Sequence, residues 1–218
     1  FRLSSPAFYQ VLQGSGADLT GHVVPQFLPG SPGVWSLGYW AAGWSGMFVM
    51  PALVGALAVL AFGGLAARLV RPEAAPVAAL LLAITQPVLH AARSTYSEPV
   101  ALLLLCGAAC LVVDAVRAAD ATDPPVLPSV QRGLSLAAGA MLGLAGLVRV
   151  DVLREVALLL PAAAVLALRG SPVARPLVTG ALAGLGVSTV WALINSRPYL
   201  GSIAGSLVPL IAGFVLLG

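Results

Sequence analysis

Two short segments join carboxylates to arginines at points where apolar stretches end. The first is Arg93-Ser94-Thr95-Tyr96-Ser97-Glu98-Pro99. A carboxylate in such a place can bind a divalent cation, hold a sugar hydroxyl or act as a general base. His90, on the same side of the membrane, is the one nearby residue that could join Glu98 around Mg or Mn. The alternative is an ordinary polar turn, with Glu98 favoured by the positive end of the helix that follows. The second segment holds Arg149, Asp151, Arg154 and Glu155. Arginine suits phosphate because its planar fork makes two parallel hydrogen bonds. A carboxylate such as Asp151 can hold that fork in place. The alternative is a set of solvated ion pairs at a membrane surface.

A third cation, Arg197, lies in Asn195-Ser196-Arg197-Pro198-Tyr199. Pro198 disfavours helix at Arg197, so the side chain stands on an extended segment. The candidate catalytic residue is therefore Glu98, with His90 beside it as a possible metal ligand. The candidate substrate-binding residues are Arg93, Tyr96, Arg149, Asp151, Arg197 and Tyr199. His22 is read as a hydrogen-bonded surface group. Cys106 and Cys110 share one helix face and read as small apolar packing residues. No phosphate-binding glycine loop, HExxH, GxSxG or dinucleotide fingerprint occurs. The arginines are dispersed, which gives no nucleic-acid footprint.

The elements that position these residues must live in lipid. The chain has 218 residues, 59% hydrophobic and 9% charged, with mean hydropathy +0.98. Soluble domains carry roughly 25% charged residues. The apolar stretches are long and rich in Leu, Ala, Val and Gly. Helices are then the way to satisfy the backbone in hydrocarbon. The fold class that follows is all-α, a polytopic transmembrane helix bundle. All 11 basic residues are Arg, a bias expected of a GC-rich genome such as an actinobacterial one.

Residues 1–45 read as an external segment. Ser5-Pro6 starts a short interfacial helix over Pro6 to Gln13. The stretch Pro25 to Gly33 is expected to be non-helical. Trp35, Tyr39, Trp40 and Trp44 then form an aromatic belt leading into the membrane. Residues 46–218 read as a domain of about seven spans of the ~20 residues needed to cross hydrocarbon. The spans run about Gly46 to Ala67, Ala75 to Leu89, Val100 to Val116, Gly133 to Val148, Val152 to Leu168 and Pro176 to Ile194, with a seventh from Ile203. The sequence is read as part of a longer protein.

Alternation divides the charges between two sides. Arg68, Arg71, Arg117, Arg132, Arg169 and Arg175 fall on one, which the excess of Arg makes cytoplasmic. Arg2, Arg93, Arg149, Arg154 and Arg197 fall on the other. All the chemically interesting segments thus lie on one external face of a multi-pass protein of the plasma membrane.

The order of these features resembles the GT-C glycosyltransferases, which include protein O-mannosyltransferases and mycobacterial arabinosyl- and mannosyltransferases. The pieces that carry the resemblance are Phe27 to Trp35 (FLPGSPGVW), Ala92 to Pro99 (ARSTYSEP), Gly146 to Asp151 (GLVRVD) and Ser196 to Leu200 (SRPYL). The resemblance implies a GT-C-like bundle and transfer of a sugar from a polyprenyl-phosphate donor to a glycan, lipid or protein acceptor of the cell envelope. It implies that Glu98 is the second external carboxylate of such folds, and that Arg93, Arg149 and Arg197 face the donor phosphate. Such enzymes also carry an acidic motif just after their first span. That motif is missing here, and Asp18 does not replace it. Two rival readings stay open: a transporter or lipid flippase, which predicts polar mid-span residues and inverted repeats, and a non-catalytic scaffold. Small-residue surfaces such as Gly55, Ala56, Gly63 and Gly64 suit close helix packing in any of these.

Overall fold

A computed structural model describes residues 9–11, 23–25, 28–121, 127–149, 151 and 153–195. The regular structure among these residues is helical apart from one short ribbon. Strands β1 (Tyr9–Val11) and β2 (Val23–Pro25) pair antiparallel, with Gln10 opposite Val24. The expected interfacial helix over Pro6 to Gln13 is therefore corrected: its centre is a strand. Aromatic and β-branched residues favour extended backbone, and Tyr9 and Val11 find partners in Pro25 and Val23.

Helix α1 (Gly30–Leu69) begins inside the stretch expected to be non-helical. The first N–H groups of a helix have no partner within it, so Pro32 in the first turn costs no hydrogen bond. Its course breaks at Ala42-Gly43, where Gly43 has φ 60° and ψ −146°. Only glycine adopts that backbone freely. The arm before Gly43 folds back on the arm after it. A Cβ on Gly38 would stand 2.5 Å from the carbonyl oxygen of Gly46. No charged residue occurs between Asp18 and Arg68. The turn of this hairpin exposes Trp40 and Trp44, the side chains read as an aromatic belt. Trp35, on the returning arm, packs in a buried cluster with Val54, Val100, Ala101 and Val148.

The remaining helices are α2 (Ala74–Ala83), α3 (Gln86–Ala92), α4 (Glu98–Asp120), α5 (Pro128–Ala145), α6 (Leu153–Leu168) and α7 (Ala174–Asn195). Three helices among the described residues are long and apolar enough to cross a membrane: Gly30–Leu69, Glu98–Asp120 and Ala174–Ile194. Helices α2 and α3 meet at an angle of 71° and make a fourth span if taken together. Of the about seven expected spans, three or four meet this length and apolarity among the described residues. Helix α5 has 18 residues and carries Gln131 and Arg132 near its start, and α6 has 16 residues, about 24 Å at 1.5 Å per residue. The seventh expected span lies outside the described residues.

Three packing relations set the bundle: α1 on α4, α4 on α5, where Gly107 faces Met141, and α5 on α7. Helix α1 runs alongside α4, with Cys110 Sγ donating to the carbonyl of Ala61 at 3.4 Å. Helices α5 and α7 run parallel at close range. A Cβ on Gly139 would be 2.7 Å from Ala181 N, and one on Gly184 2.6 Å from Ala140 O. Gly143 and Gly180 meet opposing backbone in the same way. Gly139–Gly143 and Gly180–Gly184 are two GxxxG pairs that let the backbones touch. Ser188 Oγ donates to Gly143 O at 2.9 Å across this contact.

Candidate functional site

The described charges gather at the two ends of the bundle. At one end Arg68, in the last turn of α1, donates from Nε and Nη2 to both carboxylate oxygens of Asp114, each at 2.8 Å. Arg68 Nη1 also donates to Gly64 O at 2.9 Å, and Arg117 Nη2 donates to the carbonyl of Arg68. At the other end stand Glu98, Arg149 and Asp151. Glu98 and Asp114 share α4, so the two clusters are separated by about 24 Å at 1.5 Å per residue. That is close to the hydrocarbon thickness of ~30 Å. The sorting by alternation holds for these residues: Arg68 and Arg117 lie together, and Arg149 and Arg154 lie together.

Each residue of the second cluster is placed by a helix end. Glu98 occupies the first turn of α4, with Pro99 beside it. Proline is preorganised there, and a carboxylate is favoured by the helix dipole. Arg149 follows α5 through a turn in which Val148 N and Arg149 N both donate to Ala145 O. The Leu147 carbonyl of this turn accepts from Gly30 N at 3.0 Å. The start of α1 thereby buttresses the arginine-bearing turn.

The arginine is shared unequally. Arg149 Nε and Nη2 donate to Asp151 Oδ1 and Oδ2, both at 2.8 Å. Arg149 Nη1 donates to Glu98 Oε1 at 2.5 Å. Arg154 reaches Asp151 from the far side, at 3.6 Å from Oδ2, and donates from Nε to the Asp151 carbonyl at 3.3 Å. The guanidinium hydrogen bonds hold the Asp151 carboxyl below its ordinary range, against the opposing effect of burial. The same bonds raise the Arg149 pKa. All three side chains keep partial access to solvent, at 31% for Arg149, 52% for Glu98 and 42% for Asp151.

A cleft of about 290 Å³ opens at this cluster. Its walls are apolar and come from α1 (Gly55, Ala58), α3 (Pro87, Val88, Ala91) and α4 (Pro99, Ala101, Leu102, Leu105). Glu98, Arg149 and Asp151 are its polar groups. An apolar cleft with an arginine in its lining has the chemistry to take an amphiphile with an anionic head. Apolar walls bind the tail without directional demands, and the fork binds phosphate.

Of the residues singled out in the sequence, the structure brings together Glu98, Arg149 and Asp151. His90 and Tyr96 face each other with ring centroids 5.5 Å apart. Arg93 is exposed on the turn before α4 and makes no ion pair among the described residues. Arg197 and Tyr199 lie outside the described residues. No three His, Cys, Asp or Glu side chains converge among the described residues, and the carboxylates of Glu98 and Asp151 are both engaged by Arg149. The Arg68–Asp114 pair was not read from the sequence. Its only trace there was two opposite charges near the same end of two spans. No protein family, curated protein or solved structure matches the chain.

Proposed function

We propose that the protein is a GT-C-like membrane glycosyltransferase that moves a sugar from a polyprenyl-phosphate donor to a cell-envelope acceptor on the outer face of the plasma membrane. The observation that carries this reading is the position of Arg149, held by Asp151 and touching Glu98 in the lining of an apolar cleft. In this reading the prenyl chain lies along α1, α3 and α4, and the phosphate meets the arginine. Glu98 takes the proton of an acceptor hydroxyl. The acceptor oxygen then bonds to the anomeric carbon as the bond from that carbon to the phosphate oxygen breaks. The bonding electrons leave with the polyprenyl phosphate, whose growing charge Arg149 stabilises.

One observation favours a second reading, a lipid flippase or transporter. Helices α2 and α3 form a span broken by 71° beside the cleft, and discontinuous helices mark many transport sites. The two readings separate on turnover. Purified full-length protein would be given a panel of polyprenyl-phosphate sugars with membrane extract, and donor consumption followed. The transferase reading expects consumption of at least one donor, reduced about 10²- to 10⁴-fold in Glu98→Gln, as for loss of a general base. A wild-type protein that binds no donor and consumes none would overturn it.

A further inference from the structure

The two partners of Arg149 are not equivalent, and the difference bears on how an anion enters the site. Asp151 takes the Nε–Nη2 edge with two bonds at 2.8 Å. It sits two residues away on the same turn, so the chain itself keeps it there. Glu98 takes one bond on Nη1 and comes from another helix. An arginine has five N–H donors. A phosphate needs an open pair of them, and Asp151 already fills one edge. Three of the five are taken, and the open pair, one hydrogen each on Nη1 and Nη2, includes the nitrogen on which Glu98 stands.

Charge makes the same point. Arg149 with Asp151 is neutral, and Glu98 adds one negative charge where a phosphate must come. Arg154 compensates only from the far side of Asp151, at 3.6 Å. A carboxylate and a phosphate cannot both occupy Nη1 without repulsion at hydrogen-bond range.

We propose that Glu98 is a displaceable anion on Arg149: a lipid phosphate entering the cleft takes its place, and only then is the carboxylate free for an acceptor hydroxyl. Asp151 is the positioning residue that keeps the arginine aimed at the cleft through the exchange. The inference rests on the transferase reading for the acceptor and on the cleft geometry alone for the phosphate. It orders the reaction, with donor before acceptor, and keeps the base occupied while no donor is present.

The test uses the full chain in lipid nanodiscs with geranylgeranyl monophosphate as probe. Geranylgeraniol, with the same tail and no phosphate, and inorganic phosphate serve as comparators. Glu98→Gln removes the competing charge and should tighten prenyl-phosphate binding about fivefold, the range of a partly exposed ion pair. Asp151→Asn should weaken it by a similar factor, while geranylgeraniol binding stays constant in both. Glu98→Ala answers the same question should the Gln variant fail to fold. Unchanged or weaker prenyl-phosphate binding in the Glu98 variants, with geranylgeraniol still bound, would overturn the proposal. So would equal affinity for inorganic phosphate and the prenyl phosphate, because the ligand would not be using the cleft. Tightening in Glu98→Gln combined with no donor consumption by the wild type would support the exchange and overturn the transferase reading. Loss of turnover in Glu98→Gln without tightening would do the reverse.

Discussion

Gly184 and Gly186 stand two residues apart on α7 and should respond to the same substitution with opposite signs. A Cβ on Gly184 would lie 2.6 Å from Ala140 O and 3.0 Å from Leu144 N, and one on Gly186 would have nothing within 4 Å. The first is about 0.8 Å closer than the 3.4 Å at which ordinary contact begins, and the neighbour is backbone, which cannot rotate away. Overpacking of this kind costs about 1–3 kcal/mol. Alanine in place of glycine within a helix returns about 0.5–1 kcal/mol at either position. The net cost of Gly184→Ala is then about 0.5–2 kcal/mol, which should lower the unfolding midpoint by about 1–8 °C at the usual conversion for a chain of this size. Gly186→Ala should leave it unchanged or raise it slightly. Cys106 and Cys110 are free and buried, so a thiol-reactive dye reports unfolding of the detergent-solubilised protein directly. Equal midpoints for the two variants would refute the parallel backbone contact between α5 and α7.

Three further outcomes follow from the same geometry. Arg149→Lys keeps the charge but cannot span both oxygens of Asp151 and reach Glu98 as well; prenyl-phosphate affinity measured by calorimetry should fall about tenfold. The Asp151 carboxyl is held below its ordinary range, so its share of stability is complete above about pH 4 and is lost as pH falls through the lowered pKa. A thermal-midpoint profile should thus be flat from pH 8 to about pH 4 and decline below it, with the decline smaller in Asp151→Asn. Arg68→Gln or Asp114→Asn alone should each destabilise by about 1 kcal/mol, because both groups keep about a third of their exposure. The double variant should lose less than the two effects added, a non-additivity measured by a double-mutant cycle.

The membrane-helical class was legible because it rests on composition and run length, which need no tertiary information. The pairing of Glu98 with Arg149 is 51 residues apart in sequence. What the sequence did supply was that both sit at helix ends on one side of the membrane. The chemical types were visible, but which carboxylate takes which edge of the guanidinium depends on the turn after α5 and could not be. The hairpin at Gly43 was missed because Pro25 to Gly33 reads as a breaker, although Pro32 falls where a helix tolerates it. The break at Ile84-Thr85 reads as part of one span because Val77 to Ala83 is an unbroken apolar run, although Pro87, in the first turn of α3, marks a new helix start. The contact between α5 and α7 had a signal in plain view, two GxxxG spacings at Gly139–Gly143 and Gly180–Gly184. Such spacings are common in apolar helices and acquire meaning only when two helices present them to each other.

The most direct measurement of the proposed activity is donor turnover by the full-length protein with and without the Arg149 charge. The protein would be reconstituted with each polyprenyl-phosphate sugar and its acceptor membranes, and Arg149→Gln compared with wild type at saturating donor. The wild type should consume one donor class, and Arg149→Gln should lose about 10²- to 10³-fold in rate, the scale of removing a group that stabilises developing charge. Turnover unchanged in Arg149→Gln would contradict the assignment of the leaving phosphate to this arginine.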